Sequence, residues 1–501
     1  MKALLDTNII IHRETDKVVE QDIGILFRWL DRAHYIKCIH PITISEIQKY
    51  HDIEVVKSFM SKLESYEQIN IPAPIQEEVK KVSKDFDVNE NDINDTSLLN
   101  EVFVGRIDIL ISQDKKIHKK AAKLNISDKV FKIDSFLEKI FSEHPDLVNY
   151  KVLNVQKKHF GHIDLEDNFF DSFKEDYPGF QNWFLKKSDD LAYVTSNIAN
   201  NKILSFLYLK VEDESENYFD INPTFQPKKR LKIGTFKVIS NGLRLGERFM
   251  KIVFDNALAN KVEEIYVTVF DHRDEQKRLI DLLEEWGFNL WGQKGNEKVY
   301  LRKFIPKFEL NRLSENYPYI SSQQNCFIVP IYEAYHTELL PNSILNTESP
   351  LEFVEDFPHR NSITKVYVSG AIHPHPAKGD ILIFYRTGGY YKSVISTIGL
   401  VQEVIYDIRT EEEFINHCRK GSVFPENELK AKWNYKKNIR PFVVRFLYVY
   451  SFPQRINMKS LIDLGVLNGV DDAPRGFKPI TNEQFKIILK ETKSNESFII
   501  D

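Results

Sequence analysis

The chain opens on a short apolar run, Ala3 to Leu5, that stops at Asp6 and is followed at once by Thr7 and Asn8. Such a run predicts a buried strand whose carboxyl end delivers one carboxylate and two small polar side chains, the place where ligands gather in open α/β sheets. Apolar residues at helical spacing predict helices over 23–30 and 55–63, and 36–39 predicts a strand closed by His40-Pro41. In PITISEIQKY, Thr43 and Glu46 have the spacing of a capping box at a helix start. NENDINDTSLLNEVF sets Asp92, Asn94 and Asp95 just ahead of an apolar helix. GRIDILISQDKKIHKKAAK predicts a strand over 107–111, then Ser112-Gln113-Asp114, then a basic helix. This alternation predicts a parallel sheet flanked by helices in a first α/β domain, 1–149.

A polar stretch with Pro145 (143–149) separates this pattern from the next. In 150–304 an aromatic-rich helix (176–187) precedes strands at 190–195, 203–211 and 233–239. The turn SNGLRLGE then opens an amphipathic helix at 248–259, followed by a strand (265–270), a helix (276–286) and Gly287-Phe288. A glycine-bearing turn at a helix start presents free N–H groups and the positive dipole end, suited to a pyrophosphate, although Gly242 and Gly246 also serve simply as turn residues. Beyond a Pro-punctuated boundary (306–319) the third domain, 305–501, is β-rich: 326–331, 364–368, a strand opened by Gly379, a Gly388-Gly389 turn, 394–404 and 441–450, with a short helix from Leu461. Many strands with tight turns predict a small barrel.

Composition changes this picture only at the margins. A length of 501 residues suits about three domains. With 35 Phe and 22 Tyr, each has the material for a large core. Cys38, Cys326 and Cys418 lack metal-ligand or disulfide spacing, which fits a reducing cytosol and a cytoplasmic location. No run approaches the ~18 apolar residues of a membrane span, and Asp6 comes too early for a signal peptide. A net charge of −5 leaves any nucleic-acid contact to local basic patches.

Four acids therefore sit at strand ends or helix starts: Asp6, Glu46, Asp95 and Asp114. Each of the last three reads equally as a mere helix-cap residue, because acids favour that end of the dipole. Hard divalent cations prefer carboxylates, and clustered carboxylates repel one another unless a cation neutralises them. LLDTN, ISEI, NDTSLL and ISQD, in this order, resemble the motifs of the PIN-domain nucleases over 1–140. The resemblance implies Asp6, Glu46, Asp95 and Asp114 as ligands of Mg²⁺ or Mn²⁺, with Asn8 and Ser112 as polar support and water as the nucleophile. It also implies metal-dependent cleavage of RNA. Asp92 is the alternative third acid; Asp95 is preferred for lying nearer the apolar face of Leu98, Leu99 and Val102. The helix carrying Lys115, Lys116, Lys119, Lys120 and Lys123 reads either as a phosphate-backbone contact or as a solvated face.

NGLRLGE and LLEEWGF, with the strand order around them, resemble the GNAT acetyltransferase fold. This implies an α+β second domain with the acetyl-CoA pyrophosphate on the backbone of Gly242, Leu243, Arg244, Leu245, Gly246 and Glu247. The family's first loop glycine corresponds here to Arg244, and Leu283 stands where many members carry a leaving-group tyrosine. KGDILIFY and STIGLVQEV resemble PUA-like β-barrels of the ASCH and EVE kind, which implies RNA binding, of a modified base or tRNA-like element. KAKWNYKKNIR interleaves Lys430, Lys432, Trp433 and Tyr435, which suits stacking plus phosphate contact or an exposed loop with two packed aromatics. His373 and His375 form one close pair without a cysteine partner, which favours a structured loop over a metal site.

Taken together, the chain is expected to be a multidomain cytosolic endoribonuclease, toxin-like or stress-related. One alternative is an acetyltransferase acting on RNA, aminoacyl-tRNA or a protein amine. Another is a non-catalytic RNA-binding adaptor. RNA, acetyl-CoA, a second copy of the chain and an antitoxin or other regulator are the partners these resemblances suggest.

Overall fold

The computed structural model describes residues 1–14, 21–49, 56, 59–60, 63–133, 135–137, 140, 155–197, 201–239, 244–341, 358–371, 375–390, 393–419, 421–435 and 439–501. The expected linker 143–149, most of the expected helix 55–63, and Gly242, Leu243 and His373 lie outside them. The chain divides into two compact units, 1–149 and 150–501.

The first unit is built on five parallel strands, β1 (Lys2–Leu5), β2 (Ile36–Ile39), β3 (Glu67–Gln68), β4 (Ile109–Ile111) and β5 (Val130–Phe131), in the order β3-β2-β1-β4-β5. Ala3, Leu4 and Leu5 are fully buried, as a central strand covered on both faces requires. Among its helices are α1 (Thr7–Glu14), α2 (Gln21–Arg32), α3 (Pro41–Gln48), α4 (Glu77–Phe86), α5 (Glu90–Phe103) and α6 (Lys115–Lys123). Leu98, Leu99 and Val102 of α5 pack with Leu4, Leu110 and Ile117 in one core. Strand order reverses between β1 and β4, so a crevice opens at their carboxyl ends.

Two local expectations are corrected here. Thr43 and Glu46 make no capping box: α3 starts three residues earlier, with Pro41 at its first position and His40 capping Ile42 N through Nδ1 at 3.2 Å. Proline's fixed φ and missing N–H suit that first position, so Thr43 is swallowed into the helix and buried. The strand expected over 107–111 is paired only over Ile109–Ile111.

The second unit holds a seven-stranded mixed sheet made of β6 (Gln156–His159), β7 (Leu191–Ser196), β8 (Ile203–Glu212), β9 (Arg230–Val238), β10 (Glu264–Val269), β11 (Asn289–Lys294) and β12 (Glu297–Lys303). They lie in the order β11-β12-β10-β9-β8-β7-β6, antiparallel except for the β9–β10 pair. Short helices α7 (Asp171–Asp176) and α8 (Phe180–Leu185) precede β7; α9 (Leu245–Asn260) links β9 to β10, and α10 (Asp274–Glu285) follows β10.

The remaining strands are β13 (Ile320–Ser321), β14 (Cys326–Ile331), β15 (Thr364–Ser369), β16 (Ile381–Arg386), β17 (Val394–Ile405), β18 (Phe442–Ser451), β19 (Lys478–Ile480) and β20 (Ile499–Ile500). Six form a sheet in the order β15-β18-β17-β16-β14-β19, and β13 pairs with β20. Among the described residues β15 and β19 remain its two edges, so the closed PUA-like barrel is not shown. One hydrophobic core runs from Leu207, Phe254 and Trp286 through Tyr317 to Leu447 and Phe498, joining this sheet to the seven-stranded one. Among the described residues no helix is long and apolar enough to cross a membrane.

Candidate functional site

At the carboxyl edge of the parallel sheet, β1 ends on Asp6 and the neighbouring β4 ends on Ile111, whose carbonyl accepts from Asp6 N at 3.1 Å. The next residue, Ser112, donates its hydroxyl to Asp6 Oδ2 at 2.6 Å and accepts from Asp114 N at 3.0 Å. One buried hydroxyl thus ties two acids together across the strand-order reversal. Asp6 is almost wholly buried, and burial, then the charges of Asp114 and Glu46, push its carboxyl above the ordinary range against the Ser112 bond. Asp95, on α5, is pushed up to about 7 by burial and then by Asp6 and Asp114. Glu46, in the last turn of α3, accepts from Asn94 Nδ2 at 2.8 Å, one residue from Asp95.

The four acids singled out in the sequence therefore act on one another electrostatically across four separate elements. Oxygen donors gathered in this way, Asp6 buried and the other three half-buried, match the donor chemistry of a hard divalent cation. As placed, no three His, Cys, Asp or Glu side chains among the described residues surround a single ion. Asp114 in particular spends Oδ1 on the backbone N–H groups of Lys116 and Ile117, at 2.6 and 3.1 Å, as the N-cap of α6. Its cap role and its place beside Asp6 coexist, because the cap sits where a strand hands over to a helix.

Other residues fall elsewhere. Asn8 is exposed on the first turn of α1, and the buried Thr7 instead bonds Thr43 at 3.1 Å, tying α1 to α3. That pair went unnoticed in the sequence because both threonines read as motif and cap positions. Asp92 is taken up by Asn89 in the capping box of α5 and by Lys116 Nζ at 2.8 Å, so it faces away from this role. The expected basic stripe on α6 is corrected: Lys120 is buried against Asp87 at 2.5 Å and Lys116 is paired with Asp92, which leaves Lys115, Lys119 and Lys123 exposed.

In the second unit β9 and β10 pair from Arg230↔Glu264 to Ile233↔Val267 and then part. The cause is local. A register shift between Tyr208 and Leu209 of β8 leaves Gly234 out of the pairing, and a Cβ there would lie 2.7 Å from the Tyr208 ring. Only glycine lets β9 bend past that ring and away from β10. Lys237 reaches from the diverging end of β9 to Phe169 O and Ser172 Oγ, both at 2.7 Å. Of the expected pyrophosphate-binding run, Arg244 has φ +52, and Leu245 and Gly246 begin α9. Glu247 is not open to a ligand: it accepts from Ser362 Oγ and Ile363 N, both at 2.9 Å, and from Thr364 N at 3.3 Å. Leu283, where a tyrosine would serve as acid, is fully buried.

The expected aromatic–basic RNA contact is also corrected. Residues 426–435 form a helix rather than a loop, and Trp433 is buried with its ring stacked 5.4 Å from Phe414. The exposed Lys430 pairs with Glu426 at 2.7 Å, Lys432 lies over the Phe424 ring, and Tyr435 is exposed. His375 packs against Tyr406 and Phe442.

No family model matches the chain, and no curated protein matches it. Among solved structures it is similar to a GNAT-family acetyltransferase from Listeria monocytogenes, at 10% identity over 31% of this chain and 98% of that one, with a TM-score of 0.23. It is similar also to the N-acetyltransferase PseH of Campylobacter jejuni (12% identity, 30% and 97%, TM-score 0.20). A third is the aminoglycoside 6'-N-acetyltransferase of Enterococcus faecium (12% identity, 31% and 99%, TM-score 0.20). At such scores these likenesses carry no argument; the chain itself shows a multidomain α/β structure in which the parallel β9–β10 pair parts after Ile233↔Val267.

Proposed function

We propose that the first unit is a divalent-metal-dependent phosphodiesterase acting on RNA. The observation that carries this reading is the convergence of Asp6, Glu46, Asp95 and Asp114 at the carboxyl edge of the five-stranded parallel sheet, where their charges oppose one another. Asp6 and Asp114 would hold Mg²⁺ or Mn²⁺, Glu46 and Asp95 would complete its surroundings, and Ser112 would orient the Asp6 carboxylate. A cation so held activates water and neutralises charge at a phosphorus centre. Exposed Lys115, Lys119 and Lys123 on α6 offer contacts for the phosphate backbone. The test is cleavage of total tRNA and of an unstructured oligonucleotide with Mn²⁺ by the full chain and its Asp6→Asn variant. Metal-dependent cutting that falls at least ~100-fold in the variant is expected; equal cutting by both would overturn the reading.

A second reading, acyl transfer from acetyl-CoA in the second unit, is favoured by the parting of β9 from β10, which leaves strand edge open for an extended cofactor arm. Against it stand the engagement of Glu247 by 362–364 and the absence of an acid at Leu283. Calorimetry with acetyl-CoA decides it: no binding removes this reading and leaves the first untouched.

A further inference from the structure

A hollow of about 350 Å³ lies between the β11–β12 hairpin and the segment 305–316, within the range of small-molecule sites. Three of the chain's large exposed apolar side chains, Leu290, Trp291 and Ile305, line it. Leu290 and Trp291 are successive residues that a flat strand would point to opposite faces. The register shift between Leu290 and Gly292 leaves Trp291 as the extra residue of a bulge, and both residues line the hollow. The indole is held in place: Nε1 donates to Pro223 O at 2.7 Å, and its ring lies 5.4 Å from Phe225. Glycines make this packing possible, since a Cβ on Gly292 would strike Asn222 O and one on Gly287 would meet Glu315 backbone at 3.0 Å.

The rim is basic. Lys303, Lys307 and Arg312 line the hollow with one acid, Glu315, in a chain whose net charge is −5. Arg302 also lines it, but its guanidinium turns inward over the Phe254 ring at 4.3 Å. Lys307 is paired with Glu309 at 2.7 Å and Arg312 with Glu315 at 3.5 Å, while Lys303 has no ion-pair partner among the described residues. A rigid indole face beside cations suits a planar base joined to phosphate. An apolar ligand leaves the cations unused, and a simple anion leaves the indole unused.

We propose that this hollow is a nucleotide-binding site, in which a base packs on Trp291 and the phosphate meets Lys303 and Arg312. The same chemistry is offered by a free mononucleotide and by a terminal nucleotide of RNA. The site owes nothing to either catalytic reading, and its test uses no turnover.

The experiment is calorimetric titration of the full chain with AMP, adenosine, inorganic phosphate, a five-nucleotide RNA and hexaglutamate. Variants are Trp291→Ala and, because that indole packs on its neighbours, the exposed Lys303→Gln. Saturable AMP binding is expected, with adenosine and phosphate each at least ~10-fold weaker. Trp291→Ala should weaken it about 10-fold and Lys303→Gln several-fold, and salt should weaken it further. Tighter binding of the RNA than of AMP assigns the site to RNA ends, and the reverse assigns it to free nucleotide; both support it. Absence of saturable binding, phosphate or hexaglutamate binding as tightly as AMP, or indifference to both variants would overturn it.

Discussion

Asp6 and Asp114 meet through the hydroxyl of Ser112, so that single side chain orients one acid while accepting from the backbone of the other. Ser112→Ala is expected to keep the fold and to lower metal-dependent cleavage by about 10- to 100-fold, measured against the same RNA, as losing a second contact to a metal ligand commonly does. His336 tests a different kind of residue. It is fully buried, its Nε2 lies 2.7 Å from Ser396 Oγ, and burial together with Arg386 and Arg455 pushes its pKa down to about 3. Unfolded, it binds a proton near the ordinary 6.5. Between those values the unfolded chain holds more protons, so this residue costs stability as pH falls from about 6.5 toward about 3. The difference in urea midpoint between the wild type and His336→Gln should be independent of pH above about 6.5, and the variant should lose less on acidification. Trp433 and Tyr435, two residues apart in one motif, separate just as cleanly. Trp433→Ala is expected to cost about 3–5 kcal/mol of stability, and Tyr435→Ala under about 0.5, in the same unfolding assay.

At the scale of elements, the start of α9 is where the seven-stranded sheet meets the six-stranded one. Glu247 accepts three hydrogen bonds from 362–364, and Arg244 Nη1 donates to the same Ser362 hydroxyl at 2.7 Å. Glu247→Ala leaves two backbone N–H groups without their acceptor and should cost about 1–3 kcal/mol, read from chemical denaturation. If the acetyl-CoA reading holds, the same variant should bind acetyl-CoA more tightly, since the cover over α9 is loosened. Helix boundaries in this chain followed chemistry that spacing alone ranks poorly. Pro41 overrode the Thr43–Glu46 pattern, and Lys120 sank into the core because Asp87 and the Asp92 carbonyl were there to receive its ammonium.

At the scale of the whole molecule, the second unit is expected to unfold as one body. Its core is continuous across 304 and 305: Tyr317 packs on Phe254 and Trp286, accepts from Arg302 at its carbonyl, and donates its hydroxyl to Tyr448 O at 2.6 Å. Scanning calorimetry of residues 150–501 should therefore give one transition rather than two, and residues 305–501 alone should aggregate with that apolar surface exposed. The sequence by itself determined the β–α alternation of the first unit, four strands of the seven-stranded sheet and most of those of the six-stranded one, and the order of the four acids; the strands at 156–159, 289–294, 297–303 and 478–480 were not read from it. Periodicity and strand-end position are local properties, carried by neighbours in the chain. Only the tertiary structure decided that Ser112 joins Asp6 to Asp114, that Asn94 holds Glu46, that Trp433 is core while Trp291 lines a hollow, and that the two later domains share one interior. Each of those outcomes depends on residues tens to hundreds of positions apart, and packing and desolvation act on whichever groups the fold brings together.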